Sequence, residues 1–212
     1  MHRFDPAALA GALLLIDFQC GFDHPRWGAR NNPGAEANAL RLLAAFRAAG
    51  APVIHVRHLS TEADSPLAGA GAALKRGFEP APGEPLIEKS VNSAFIGTDL
   101  ETRLRLGGID RLTICGLTTP HCVSTTTRMA ANLGFAVTLV HDACAAVARN
   151  ADAGFDGGPD FSPAEIHRAA LSHLHGEFAE VVATDAALRR IGRARRAPES
   201  EGETHVHRLA DL

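Results

Sequence analysis

Long apolar runs, paired cysteines and an excess of charge of either sign are all missing from this 212-residue chain. No run approaches the roughly 20 apolar residues that span a bilayer. The apolar stretch 7–16 lacks a strongly basic leader and runs straight into Asp17, so it reads as a first strand and its approach. A formal net charge of −3 gives no reason to expect nucleic acid or an anionic membrane as partner. The basic cluster at 189–196 reads as a solvated tail. Cys20, Cys115, Cys122 and Cys144 are dispersed without a CxxC pair, so free thiols are expected in a cytoplasmic protein. Internal repeats, low-complexity tracts and domain linkers are absent too. The chain reads as one domain over 1–192, with a polar tail at 193–212.

What is present is a recurring pattern of short apolar run, turn and longer amphipathic stretch. Runs at 12–16, 52–56, 85–89, 112–115, 136–140 and 181–183 read as strands. Helices are expected at 35–49 with Gly50 as stop, at 98–106 with Thr98 as N-cap, and from Cys122 to Gly134. Another is expected at 163–175, where Ser162, Pro163 and Glu165 form a capping signature. The stretch 59–83 is a long irregular loop. Such alternation predicts an α/β fold with a mainly parallel sheet covered on both faces. In these folds ligands bind beyond the carboxyl ends of the strands.

Three chemically useful residues fall at such ends. Cys122 lies past a strand and a turn, near a helix start. The helix dipole lowers a thiol pKa there, and free N–H groups can hold an oxyanion. Asp17 follows four aliphatic residues, a border that desolvates a carboxylate and suits proton transfer. Lys89 closes another short strand, and its cation could stabilise a thiolate and a carboxylate together.

The segments LLLIDFQ (13–19), EKSVNSAF (88–95) and GLTTPHCVSTTTRMAANLGF (116–135), with HDAC (141–144) and EIHRAAL (165–171), resemble the isochorismatase-like cysteine hydrolases. That superfamily includes nicotinamidases and N-carbamoylsarcosine amidohydrolases. The resemblance implies a three-layer α/β/α sandwich with about six strands, and Asp17, Lys89 and Cys122 as a catalytic triad. It implies a cis Leu117–Thr118 bond, and an oxyanion hole from the backbone N–H groups of Thr118 and Cys122. It implies a homo-oligomer, dimer or tetramer. The expected reaction is hydrolysis of a small amide or ureido compound through an acyl-thioester on Cys122. The alternatives are a thiol redox sensor and an isochorismatase-type vinyl ether hydrolase, the latter needing no cysteine.

Metal-binding nicotinamidases carry an Asp-x-His pair after the second strand. Here that region reads HVRHLSTEADSP (55–66), without the pair, so no metal and no cofactor is expected. His55 and His58 are three apart, which on a strand points them to opposite faces. His58, Trp27 and Phe95 are expected to line a substrate pocket. The Arg30–Asn31–Asn32–Pro33 stretch could border the site. Arg57 suits a surface ion pair, His121 points away from its neighbour, and Cys20, Cys115 and Cys144 are structural.

Overall fold

The computed structural model describes residues 11–194. Six strands form one all-parallel sheet: β1 (Ala12–Ile16), β2 (Val53–His58), β3 (Leu86–Lys89), β4 (Arg111–Leu117), β5 (Ala136–Ala145) and β6 (Glu180–Val182). Their order is β3-β2-β1-β4-β5-β6. Five helices cover it: α1 (Ala35–Ala48), α2 (Leu100–Leu106), α3 (Ser124–Asn132), α4 (Pro163–Leu174) and α5 (Thr184–Ala194). Right-handed crossovers run outward in both directions from the centre and place α1 on one face, α2, α3 and α4 on the other. α5 packs beside α1. The result is the expected α/β/α sandwich.

β1 is buried over its whole length, as its ALLLI sequence demands of a central parallel strand. The strand order reverses between β1 and β4, and their carboxyl ends diverge into a crevice there. Gly116 lets the two strands close up at that point. A Cβ on it would stand 2.1 Å from the Ile16 carbonyl oxygen, and its φ is +148°. Only glycine fits so close to the backbone that leads into Asp17.

The sequence reading departs from the structure at the end of β5, at the start of α2 and in α5, each for a physical reason. β5 continues past Val140 to Ala145, through an irregularity where Ile114 pairs Leu139 but Gly116 pairs Cys144. Side-chain amides satisfy the carbonyls that the irregularity frees: Asn32 Nδ2 donates to Cys144 O (2.8 Å) and Asn38 Nδ2 to Asp142 O (2.9 Å). Asn31 Oδ1 accepts from Ala146 N at 2.7 Å. The asparagines of the 30–33 stretch therefore clamp β5 instead of bordering the site. α2 starts at Leu100, two residues late, although Thr98 Oγ1 does accept from Leu100 N (3.3 Å). α5 was not foreseen, because arginines interrupt its apolar positions. Its Thr184 N and Oγ1 both donate to Asp142 Oδ1 (2.7 Å each), Ala187 and Ile191 are buried, and Arg190 pairs with Glu180. The arginines at 189 and 190 thus belong to a packed helix, and the remainder of the tail expected at 193–212 lies, from 195, outside the described residues.

The tight β1–β4 approach carries an expected outcome. Gly116→Ala should cost about 3 kcal/mol or more, combining overpacking with a disfavoured φ. Denaturant unfolding measures this, and a loss below about 1 kcal/mol would contradict the contact.

Candidate active site

Three strand ends bring Asp17, Lys89 and Cys122 together. Asp17 follows β1 with φ +54°, a left-handed turn that aspartate tolerates, and its side chain is fully buried. Lys89 ends β3, two strands away, about 10 Å by ordinary strand spacing. Its side chain reaches back past β2 and is itself shut off from water. Lys89 Nζ lies 2.7 Å from Asp17 Oδ2, 3.3 Å from Cys122 Sγ and 3.1 Å from His58 Nδ1. An ammonium has three N–H donors, and each has one acceptor here.

That geometry assigns protons. His58 Nδ1 must accept from Lys89, so the ring is neutral and carries its hydrogen on Nε2. Burial and the Lys89 charge lower the His58 pKa to about 4, against a hydrogen bond to the Val91 backbone. Burial raises the Asp17 pKa, and the Lys89 ammonium opposes that rise. The Cys122 thiol is pushed well up, by burial first and the Asp17 carboxylate next, with Lys89 pulling the other way. This departs from the expectation of a thiol acidified by a helix start. Cys122 does not begin the α-helix. It sits inside a π-helical turn, Thr119–Val123, and α3 starts only at Ser124. Burial outweighs the dipole, and the resting state is a thiol within hydrogen-bonding reach of the Asp17 carboxylate and 3.6 Å from Asn92 Oδ1.

The turn is shaped by what surrounds it. The Leu117–Thr118 bond is cis, and the Thr118 carbonyl accepts from the amides of His121 and Val123 (3.2 Å each). Thr119 is fully buried, and its Oγ1 meets His167 Nδ1 of α4 at 2.7 Å. Asn32 Nδ2 faces His167 Nε2 at 3.3 Å; an amide N–H2 can only donate, so Nε2 accepts and Nδ1–H donates to Thr119. Burial lowers the His167 pKa to about 4, with His141 adding to it.

Of the expected pocket residues, His58 joins the cluster through Lys89. Trp27 donates Nε1–H to Gly21 O (2.7 Å), stacks on Phe22, and lines an outer cavity of about 550 Å³ with Arg26, Arg149 and Asp160. Phe95 stacks on Phe135, which precedes the amino end of β5, and its ring is spent in the core. His55 and His58 do point apart: buried His55 Nε2 meets Glu84 at 2.8 Å. Arg57 pairs with Glu88 and His121 meets Asn150 (3.2 Å). All four cysteines are free.

Sequence reasoning missed Asn92, Gln19 and His167 as individuals, although each lies in a segment that carried the resemblance. Gln19 is fully buried and clamps the His58 backbone from both sides. Its Oε1 accepts from His58 N (2.7 Å), and its Nε2 donates to His58 O (2.9 Å) and Ala72 O (3.1 Å). A glutamine two residues past a strand-end aspartate was the available signal.

Two outcomes follow from this wiring. Gln19→Leu leaves His58 N, His58 O and Ala72 O without their partner, and should cost about 2–4 kcal/mol in denaturant unfolding. Stability should also depend on pH through His58 and His167. Both resist protonation when folded, with pKa values about 4, but take a proton near 6.5 when unfolded. Protons are therefore taken up on unfolding between those values, and stability falls as pH drops from about 6.5 to 4, with no further loss from these groups below 4. A His58→Gln, His167→Asn double variant should flatten that slope in urea titrations. An unchanged slope would contradict the neutral tautomers.

The chain is similar to proteins of one known family in both sequence and fold. The isochorismatase domain model matches residues 11–186. The isochorismatase family protein YrdC of Bacillus subtilis is 44% identical over 82% of this chain and 92% of its own length. Streptothricin hydrolase of Streptomyces noursei is 33% identical over 84% of this chain and 63% of its own. Ureidoacrylate amidohydrolase RutB of Methylobacterium radiotolerans is 28% identical over 86% and 63%. An isochorismatase-family crystal structure from Chromobacterium violaceum superposes with a TM-score of 0.80 at 43% identity, covering 86% of this chain and 93% of the other. This chain belongs to the isochorismatase family of hydrolases.

Proposed function

We propose that the chain is a cysteine-dependent, metal-independent amidohydrolase acting on a small carboxamide or ureido compound. One observation carries the reading: a single buried ammonium touches both a carboxylate and a thiol at the strand-order switch point. The relatives that act as streptothricin hydrolase and ureidoacrylate amidohydrolase support hydrolysis as the reaction class.

The chemistry follows from the proton positions. Asp17 takes the thiol proton of Cys122, and Lys89 keeps its own protons while stabilising the new thiolate. The sulfur attacks the carbonyl carbon. The tetrahedral oxyanion rests on the backbone N–H groups of Thr118 and Cys122. Asp17 returns its proton to the leaving nitrogen, the C–N bond breaks, and an acyl-thioester remains. Water then loses a proton to Asp17 and its oxygen attacks the thioester. The C–S bond breaks, the acid leaves, and the proton goes back to sulfur. The resting thiol and the desolvated carboxylate suit this sequence, because burial makes the Asp17 carboxylate a stronger base than one in water. A low-pKa redox thiol is not what burial makes of Cys122. Vinyl ether hydrolysis would leave the cysteine without a role. Asn92 is exposed, borders the sulfur and is the side chain placed to meet an incoming substrate.

An ammonia-release screen over carboxamides and ureido compounds identifies the substrate. Cys122→Ala should then abolish turnover, and Asp17→Asn and Lys89→Met should each lower kcat by at least about 10³-fold, as for members of one catalytic unit. Intact mass spectrometry with a slow amide should show an acyl adduct that maps to Cys122. Turnover surviving in Cys122→Ala would end this proposal.

A further inference from the structure

The cluster around Lys89 has the composition of a metal site. One carboxylate oxygen of Asp17, one ring nitrogen of His58 and Cys122 Sγ all lie within 4.8 Å of one another. Carboxylate, imidazole and thiolate are the donor types that hold zinc, at about 2.0–2.3 Å. Donors at that length from one tetrahedral centre stand only about 3.5 Å apart. Hydrogen bonds of about 3 Å radiating tetrahedrally from one nitrogen give a separation near 4.9 Å instead. Separations of up to 4.8 Å accommodate the second arrangement, and Lys89 Nζ stands at the centre, 2.7, 3.1 and 3.3 Å from the three, each longer than a zinc–ligand bond.

We propose that the Lys89 ammonium is the resident cation of an otherwise complete set of zinc ligands, and that it keeps thiophilic divalent metals off Cys122. A metal ion could bind only by expelling that ammonium. The Lys89 side chain is buried to the tip where it stands. Two cations a few ångström apart at low effective dielectric repel strongly. The donors would also have to close in from 2.7–3.3 Å to about 2.0–2.3 Å from the central atom, against strand ends held by Gln19 and by the β1–β4 contact. Lysine at this position therefore has a second effect, independent of hydrolysis: it protects a nucleophile that sits among good zinc ligands. The same chain with a neutral residue at 89 becomes a zinc protein.

Metal titration tests this. Metal-free Lys89→Ala and Lys89→Met, with folding checked by circular dichroism, should bind one Zn²⁺ at least about 100-fold more tightly than the unmodified protein, once the opposing unit charge is gone. Co²⁺ in the same variants should show a thiolate charge-transfer band that Cys122→Ser and His58→Ala remove. Affinity no tighter than in the unmodified protein, or binding that survives Cys122→Ser, would overturn the proposal. A measurement on the unmodified protein stands apart from those variants: micromolar Zn²⁺ should leave the rate of Cys122 modification by methyl methanethiosulfonate unchanged, read by peptide mass spectrometry. Zinc protection of Cys122 there would overturn the proposal as well.

Discussion

A buried lysine ammonium must find acceptors for all its donors or lose several kcal/mol of solvation. Lys89 finds one acceptor on each of three strands' ends: the carboxylate after β1, the imidazole closing β2 and the sulfur beyond β4. Removing any one leaves a charged donor unsatisfied in a dry place. That constraint explains why the surroundings are so heavily specified. Gln19 fixes His58 by its backbone, Gly116 fixes the distance between β1 and β4, and Asn92 meets the thiol from the open side.

Outside the cluster, a second network of neutral polar groups holds the turn that presents Cys122. It runs from Cys144 O through Asn32 to His167 and on to Thr119. It links the irregular part of β5, α4 and the π-helical turn, three pieces far apart in the chain. Its histidine is neutral for the same reason as His58. Burial penalises a charged ring, and the partner presented to its acceptor nitrogen can only donate. Both networks convert the position of one element into the position of Cys122.

Much of the layout was legible because it depends on short-range pattern. Strand cores rich in aliphatic residues, glycine stops and the Ser162–Glu165 capping pair report the local backbone directly, and the pair forms as read. The opposed directions of His55 and His58 followed from strand pleating alone. The α5 helix was hidden because its apolar positions are interrupted by arginines, and its stability comes from packing on α1 and from Asp142 holding its first turn. The 30–33 asparagines were misread because nothing nearby in sequence reveals that β5 would leave a carbonyl for Asn32, or that the residue after it would leave an N–H for Asn31.

The sequence by itself determined the parallel α/β layout, the strand-end positions of Asp17, Lys89 and Cys122, and the family. Those are properties of periodicity, turn chemistry and residue order. Only the tertiary structure decided the protonation of the site. The state of a thiol, a carboxylate or an imidazole depends on how much water each has lost and which donor faces it. Here burial shifts all three, and one ammonium, reaching across from two strands away, opposes the shift at the carboxylate and the thiol and reinforces it at the imidazole.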